Sequence, residues 1–254
     1  MQKQFFTEAI SLEIFETISK ASQQLGLESY VIGGFVRDYF LKRGTAKDID
    51  IVTTVSGIDL AEKVSSLLPN KPKVQVFKTY GTAMLRYKDI EIEFVGARKE
   101  SYSEESRNPE VSEGNLQDDQ NRRDFTINAL ALSLNETNFG ELLDPFNGID
   151  DLGNGILRTP LNPDITYSDD PLRMMRAIRF ASQLNFKIEK KSLAAITKNS
   201  ERLEIITRER IVDELNKVMS CEKPSIGFLL LEETKLLAQI IPELIDLKGV
   251  EEVE

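Results

Sequence analysis

Asp48 and Asp50, in the stretch KDIDIVTT, are the residues of this chain whose type and spacing most plainly allow chemistry. In an extended strand they point to one face while Ile49 and Ile51 point to the other. Aligned carboxylates repel each other unless a cation sits between them, and hard oxygen ligands of this kind suit Mg²⁺ bound together with a substrate's phosphates. An Asp-x-Asp strand is as readily a solvated sheet face, so the pair needs a third ligand. DIEIEFVGA offers one, because Glu91, Glu93 and Val95 alternate with Ile90, Ile92 and Phe94. A neighbouring strand that set Glu93 beside Asp48 and Asp50 would complete a site for two metal ions, one to activate a hydroxyl and one to hold a triphosphate. Taken by itself, that strand is also a solvent-facing edge. VIGGFVRD reads as a strand, two glycines and a helix start, which lets backbone N–H groups around Gly33 and Gly34 approach an anion at a positive helix end. It lacks the G-x-x-x-x-G-K-[ST] of a Walker loop. Arg37, one turn into the helix, adds a positive charge for the same anion, or else pairs with Asp38.

The composition narrows the chemistry further. The 254 residues include no histidine and a single cysteine, Cys221. That removes Ser-His-Asp triads, Cys-His pairs, His-ligated zinc and an internal disulfide framework. Catalysis falls to carboxylates, and Cys221 reads as a packing or surface residue. A net charge of −10 gives no global attraction to nucleic acid or to an anionic membrane, so contact with RNA has to come from a local basic surface. The opening MQKQFFTEAISLEIFETI carries acids among apolar residues at helical spacing, which fits neither a signal peptide nor a membrane span. No later stretch approaches about 18 uninterrupted apolar residues. A soluble, cytoplasmic protein is expected.

The elements that must position these residues follow from periodicity. Phe6, Ile10, Ile14, Ile18, Ala21 and Leu25 recur at steps of three and four, which predicts a helix from Phe5 to Leu25. Strands are predicted at Tyr30–Ile32, Asp48–Thr53 and Val74–Val76, helices at Phe35–Leu41 and Ile58–Leu68, and a hairpin over Thr82–Val95 turning at Lys88-Asp89. About five short strands with a few helices make an α+β sheet domain. Arg98–Asn121 is rich in Ser, Glu, Asp and Asn and reads as a flexible loop. RRDFTINALAL reads as a buried helix, and DPFNGIDDLGNGI as a turn-rich segment. Beyond Pro171 the spacing is helical, through Leu172–Leu184, Leu193–Thr197, Arg208–Met219 and Ile226–Leu237. No internal repeat or low-complexity tract interrupts it.

GGFVRDYFLKRGTAKDIDIV, RRDFTINALAL, DPFNGIDDLGNGILR and DDPLRMMRAIRFASQLNF closely resemble, in order, successive motifs of class II tRNA nucleotidyltransferases and bacterial poly(A) polymerases, over roughly Val31 to Met219. The resemblance implies a palm-like nucleotidyltransferase head on a mixed sheet (residues 1–158), an all-helical neck (159–221) and the start of a helical body (222–254). It implies that Asp48, Asp50 and Glu93 bind two Mg²⁺ and carry catalysis, that Gly33, Gly34 and Arg37 meet the triphosphate, and that Arg123, Asp124 and Asn128 contact the ribose and phosphates.

In that family an acidic-acidic-x-x-Arg motif serves as an amino-acid template for the base, and the match falls on Asp169, Asp170 and Arg173. Its first acid is usually Glu and is Asp169 here, which puts that acid's supporting contact in doubt. Cytosine and adenine both offer an amino donor beside ring acceptors where uracil and guanine present a carbonyl, so one acceptor-donor edge would admit CTP and ATP and reject UTP and GTP. Asp170 and Arg173 are spaced to share a helix face, and an ordinary ion pair is the plain alternative. Arg176 and Arg179 extend the row, joined by Arg210, Glu214 and Lys217, toward an RNA end or simply toward solvent.

The implied activity is template-independent addition of CMP and AMP to the tRNA 3′ end. The partners are then tRNA, CTP and ATP, with the oligomeric state left open. The nearest alternatives are a poly(A) polymerase, against which no arginine-rich R-R-F-R-L-x-H-V segment follows the acidic hairpin, and a specialised CC-adding or A-adding enzyme. A catalytically silent RNA- or nucleotide-binding module is the alternative of a different class. Family members run on past the point corresponding to GVEEVE, so a longer parent protein is expected.

Overall fold

The computed structural model describes residues 3–44, 48–103, 106–247 and 249, with the side chains of residues 100–110 outside the description. The Thr45-Ala46-Lys47 part of the first motif and the last residues of the expected body domain therefore lie outside the described residues.

Along the chain, α1 (Glu13–Leu25) is followed by β1 (Ser29–Ile32), α2 (Gly34–Phe40), β2 (Asp48–Thr53), α3 (Gly57–Leu67), β3 (Val74–Phe77), β4 (Thr82–Tyr87) and β5 (Ile90–Gly96). Next come β6 (Arg98–Ser103), β7 (Ser106–Glu113), α4 (Leu116–Asn121), β8 (Ala131–Ser133), β9 (Leu142–Leu143) and α5 (Gly148–Asn154). The remainder holds β10 (Ile156–Leu157), α6 (Pro163–Asp169), α7 (Leu172–Leu184), β11 (Lys187–Ile188), α8 (Lys190–Asn199), α9 (Arg208–Met219), α10 (Pro224–Glu233), α11 (Leu236–Ile240) and α12 (Pro242–Asp246). The chain divides into two compact units, Met1–Glu100 with Val111–Leu152, and Ser101–Glu110 with Gly153–Glu254.

The first unit is built on a seven-stranded mixed sheet in the order β3-β4-β5-β2-β1-β8-β9. β2 and β5 run parallel, whereas β1 pairs antiparallel with β2 and β8, and β4 with β3 and β5. Alternation along the central strands puts Val31, Ile49, Ile51, Leu85, Ile92 and Phe94 on one face, all at most 1% exposed. α3 packs against β2, β4 and β5, and α1 packs against α3 and β1. The approach of α3 is close. A side-chain carbon on Gly57, at its start, would lie 2.6 Å from the Phe94 carbonyl oxygen, so only glycine lets the helix sit down on β5. Ser56 caps the same helix, its hydroxyl accepting from the Asp59 N–H at 3.1 Å. The hairpin turns where expected, with Lys88 at φ 55.

Three expectations change. Arg98–Asn121 is not a loop: it forms the two-stranded β6–β7 sheet and α4, which opens on a reciprocal capping box between Asn115 and Asp118. RRDFTINALAL is a 3-10 turn at Thr126–Asn128 running into β8, and β8 and β9 extend the five expected strands to seven. The turn-rich DPFNGIDDLGNGI contains α5.

In the second unit α7 packs against α9 and α10, and α6 against α8. Met174, Met175, Ala177 and Ile178 are wholly buried there. The region is helical, as expected beyond Pro171, with a two-residue parallel pair between β10 and β11 added. No helix among the described residues is long and apolar enough to cross a membrane.

Candidate active site

The sheet register sets Asp50 directly opposite Glu93 across the parallel β2–β5 pair, and Asp48 opposite Glu91. Partners in register share a face, so the acids project from the side opposite the Ile49, Ile51, Ile92 and Phe94 core. Asp48 and Glu93 are exposed and Asp50 is half-buried. Glu91 is in register with Arg86 on its other side, whereas Glu93 joins Asp50 in lining a cavity of about 500 Å³ together with Thr82, Arg98, Arg122 and Arg123.

Burial pushes the Asp50 carboxyl above its ordinary range, and the Asp119 and Asp48 charges add to this against the pull of Arg123 and Arg122. Glu93 moves the same way, first through desolvation of its carboxyl and then through the Asp50 charge, while a Thr82 hydrogen bond and the Arg98 and Arg123 charges oppose the shift. Two facing carboxylates, both made reluctant to ionise by burial and by neighbouring acids, are a donor set that a divalent cation relieves. Among the described residues no three acidic or thiol groups already converge closely enough to enclose a metal ion. The arrangement is therefore two facing acids with Asp48 one strand step away on the same face.

Gly33 packs against two of the residues that line this cavity. Its backbone sits at φ 83, and a side-chain carbon there would lie 3.2 Å from Asp50 Oδ2 and 3.5 Å from Arg123 Nη1. The carboxylate and the guanidinium thus meet at the turn between β1 and α2. Gly33→Ala should lower thermal stability by about 1–3 kcal/mol, the usual penalty for a forced positive φ, and weaken any Mg²⁺-dependent rise in Tm. A melting curve and Mg²⁺ response equal to the parent's would show that the turn does not bear on Asp50.

The expected phosphate and ribose residues form one buried network. Arg37 grips Asp38 through Nε and Nη2, both at 2.9 Å, and donates from Nη1 to Asn128 Oδ1 at 2.8 Å. Asn128 in turn donates to Asp124 Oδ1 at 2.9 Å. Arg37 is thus paired with Asp38 as well as reaching toward the motif around Asn128. Gly33 donates its N–H to Leu130 O at 3.2 Å, and Gly34 begins α2.

Sequence reasoning missed Asp119. Fully buried on α4, it accepts from Arg122 Nε at 2.9 Å and from Arg123 Nε and Nη2 at 3.1 and 2.9 Å. Burial opposes its charge, yet the two guanidinium groups outweigh it and hold the carboxyl below the usual range. Asp119 is what aims Arg123 at Asp50. Its i,i+3 and i,i+4 spacing to the two arginines was the available signal.

In the second unit, Asp169 ends α6, Asp170 lies in the break between helices and Arg173 sits in the first turn of α7. Asp170 and Arg173 therefore do not share a helix face as their spacing suggested, because Pro171 interrupts the helix between them. They still associate: Asp170 O accepts the Arg173 N–H at 3.0 Å, and Arg173 Nε approaches Asp170 Oδ2 at 4.0 Å. Arg176 and Arg179 flank the Phe180 ring, and Arg179 pairs with Glu214 on α9 at 3.1 Å. Arg179 is thus part of the α7–α9 contact.

Comparison with known proteins places these residues in context. The family described as the poly(A) polymerase head domain matches residues 29–158, and a second, described as a probable RNA- and SrmB-binding site of polymerase A, matches 185–247. The CCA-adding enzyme of Anoxybacillus flavithermus is 36% identical over 236 residues, which cover 92% of this chain and 55% of that one. The CC-adding tRNA nucleotidyltransferase of Halalkalibacterium halodurans is 36% identical over 211 residues, covering 83% and 49%. A solved CCA-adding enzyme in complex with ATP superposes with a TM-score of 0.82 at 30% identity, over 96% of this chain and 58% of that one. The chain spans about half the length of the curated relatives it matches.

Proposed function

This chain belongs to the poly(A) polymerase head-domain family, and on that premise we propose that it is the catalytic part of a template-independent tRNA nucleotidyltransferase. In this reading a tRNA 3′ hydroxyl attacks the α-phosphate of CTP or ATP, pyrophosphate leaves, and no covalent enzyme intermediate forms. The observation that carries the reading is the register pairing of Asp50 with Glu93 in a cavity that Arg123 also lines. Residues 1–158 are the head, 159–221 the neck and 222–254 the start of a body.

Asp48, Asp50 and Glu93 are the residues to hold two Mg²⁺, which when bound would make the 3′ hydroxyl more acidic and offset charge on the triphosphate and the departing pyrophosphate. Thr82 orients Glu93 by hydrogen bonding. Asp119 keeps Arg123 charged and directed toward the phosphates, and the turn at Gly33 and Gly34 leaves room for them against the backbone. Arg37 braces Asn128 and Asp124 for the sugar. Asp170 and Arg173 supply the acceptor and donors that read the base, with Asp169 beside them. Arg176 and Arg179, on the same helix, are the further residues to meet the nucleotide or the RNA, with Arg179 also tied to Glu214.

The test is to incubate the chain with Mg²⁺, tRNA lacking its terminus and each nucleotide in turn, and to sequence the products. CMP and AMP incorporation ending at CCA supports the reading. Runs of A assign a poly(A) polymerase, and incorporation of C alone or A alone assigns a specialised enzyme, a distinction made pertinent by the CC-adding relative. No transfer of any label identifies a silent binding module. Arg173→Ala should erode discrimination against UTP and GTP by about 1–3 kcal/mol, the worth of one good base-edge pair. Unchanged selectivity in a four-nucleotide competition would remove Arg173 from the template.

A further inference from the structure

Two aromatic rings stand in the same cavity as the carboxylates. Phe77 ends β3 and Tyr80 ends the 3-10 turn Lys78–Tyr80 that follows. They are 43% and 72% exposed, yet both line the cavity that contains Asp50 and Glu93. Register fixes the side of the sheet: Phe77 pairs with Thr82, Thr82 with Val95, and Val95 lies two residues beyond Glu93 on the same strand face. Single exposed apolar residues need no explanation. Two rings beside facing acids form an apolar ledge next to a charged centre.

We propose that Phe77 and Tyr80 are a stacking platform for the 3′-terminal nucleobase of the RNA acceptor. The inference rests on the nucleotidyl-transfer reading above and deepens it. That reading assigns the incoming base to Asp169, Asp170 and Arg173, which leaves a second nucleoside, the acceptor's last, that has to bring its 3′ oxygen to the same carboxylates. β3 lies two strand spacings from β5, about 10 Å, a separation that one nucleoside bridges. The platform also suits the task chemically. An acceptor that grows one nucleotide at a time presents a different terminal base at each step, so hydrogen-bond readout there would reject its own product. Stacking is tolerant, because every base has a π face.

The experiment uses the 254-residue chain and a short RNA ending in 2-aminopurine, whose fluorescence is quenched on stacking, with nucleotide extension measured separately. The parent should quench the probe, Tyr80→Phe should keep the quenching, and Phe77→Ala with Tyr80→Ala should lose it. The double variant should raise the acceptor KM roughly 5- to 150-fold, from about 1–3 kcal/mol per stacked base, with the rise in CTP KM much smaller. Both positions are exposed, so an unchanged melting curve accompanies the loss. No quenching by the parent, quenching that survives in the double alanine variant, or a rise in CTP KM in place of acceptor KM each overturns the platform. A parent that quenches the probe but extends nothing keeps the platform and overturns the transfer reading.

Discussion

Asp50→Asn should lower nucleotide transfer by about 10³-fold or more and at the same time leave the chain more resistant to heat when no divalent cation is present. The two effects have one origin. The Asp50 carboxyl has an ordinary value of 3.8 and is raised by burial and by the Asp119 and Asp48 charges. A carboxyl raised on folding contributes stability that is complete below that ordinary value and is lost as pH rises through the raised one. At neutral pH the ionised group is therefore a net strain on the fold, which the neutral, isosteric amide removes. Glu93 has the same sign. Adding Mg²⁺ should raise the parent's Tm and scarcely move the variant's, because a bound cation offsets in the parent what the amide has already removed. Melting curves at pH 7 with and without Mg²⁺ decide the matter. A variant that melts below the parent without Mg²⁺, or that gains as much from it, would exclude Asp50 as a ligand.

Asp119→Ala should behave in the opposite way and cost about 3–5 kcal/mol of stability, as expected when one partner of a buried ion pair is removed and the other is stranded. Here two partners are stranded, since Arg122 and Arg123 are 17% and 18% exposed and both bond to Asp119. The pH dependence also reverses. Held below its ordinary value, Asp119 stabilises the fold at pH above that value, and the contribution is lost as pH falls through the lowered one. The parent's acid limb should thus contain a step that the variant lacks, read by urea denaturation across pH 2 to 7. A variant within about 1 kcal/mol of the parent would mean that Arg123 has another anchor.

Much of this arrangement was legible in the chain before folding. The bounds of β2, α7 and α9 follow from alternation or helical spacing, most plainly in α9, where Glu214, Leu215 and Val218 alone are buried. The three acids are legible for the same reason: a period of two assigns Asp48, Asp50 and Glu93 to a face without any knowledge of partners. β8 was hidden because Ala131, Leu132 and Ser133 are all buried, and a strand covered on both sides shows no alternation to separate it from a buried helix. The β6–β7 pair was hidden for the converse reason, a run of polar residues with no apolar period. Asp119 sits in that polar tract, where a carboxylate reads as surface, although the capping box at Asn115 and Asp118 announces the helix that buries it. The break at Asp170 is a backbone matter: Pro171 was visible, but the three-residue spacing of Asp170 and Arg173 read as one helix face and concealed its effect.

Because β2 and β5 run parallel, no hairpin can join them, and α3, β3 and β4 must all be laid down before β5 reaches its neighbour. Closing so long an excursion costs entropy that the local β4–β5 turn avoids. Asp48 and Asp50 thus share a strand from the start, whereas Glu93 reaches Asp50 only across this long-range parallel pairing. Before β5 is made, a nascent chain has Asp48 and Asp50 without the carboxylate that faces them in the finished sheet.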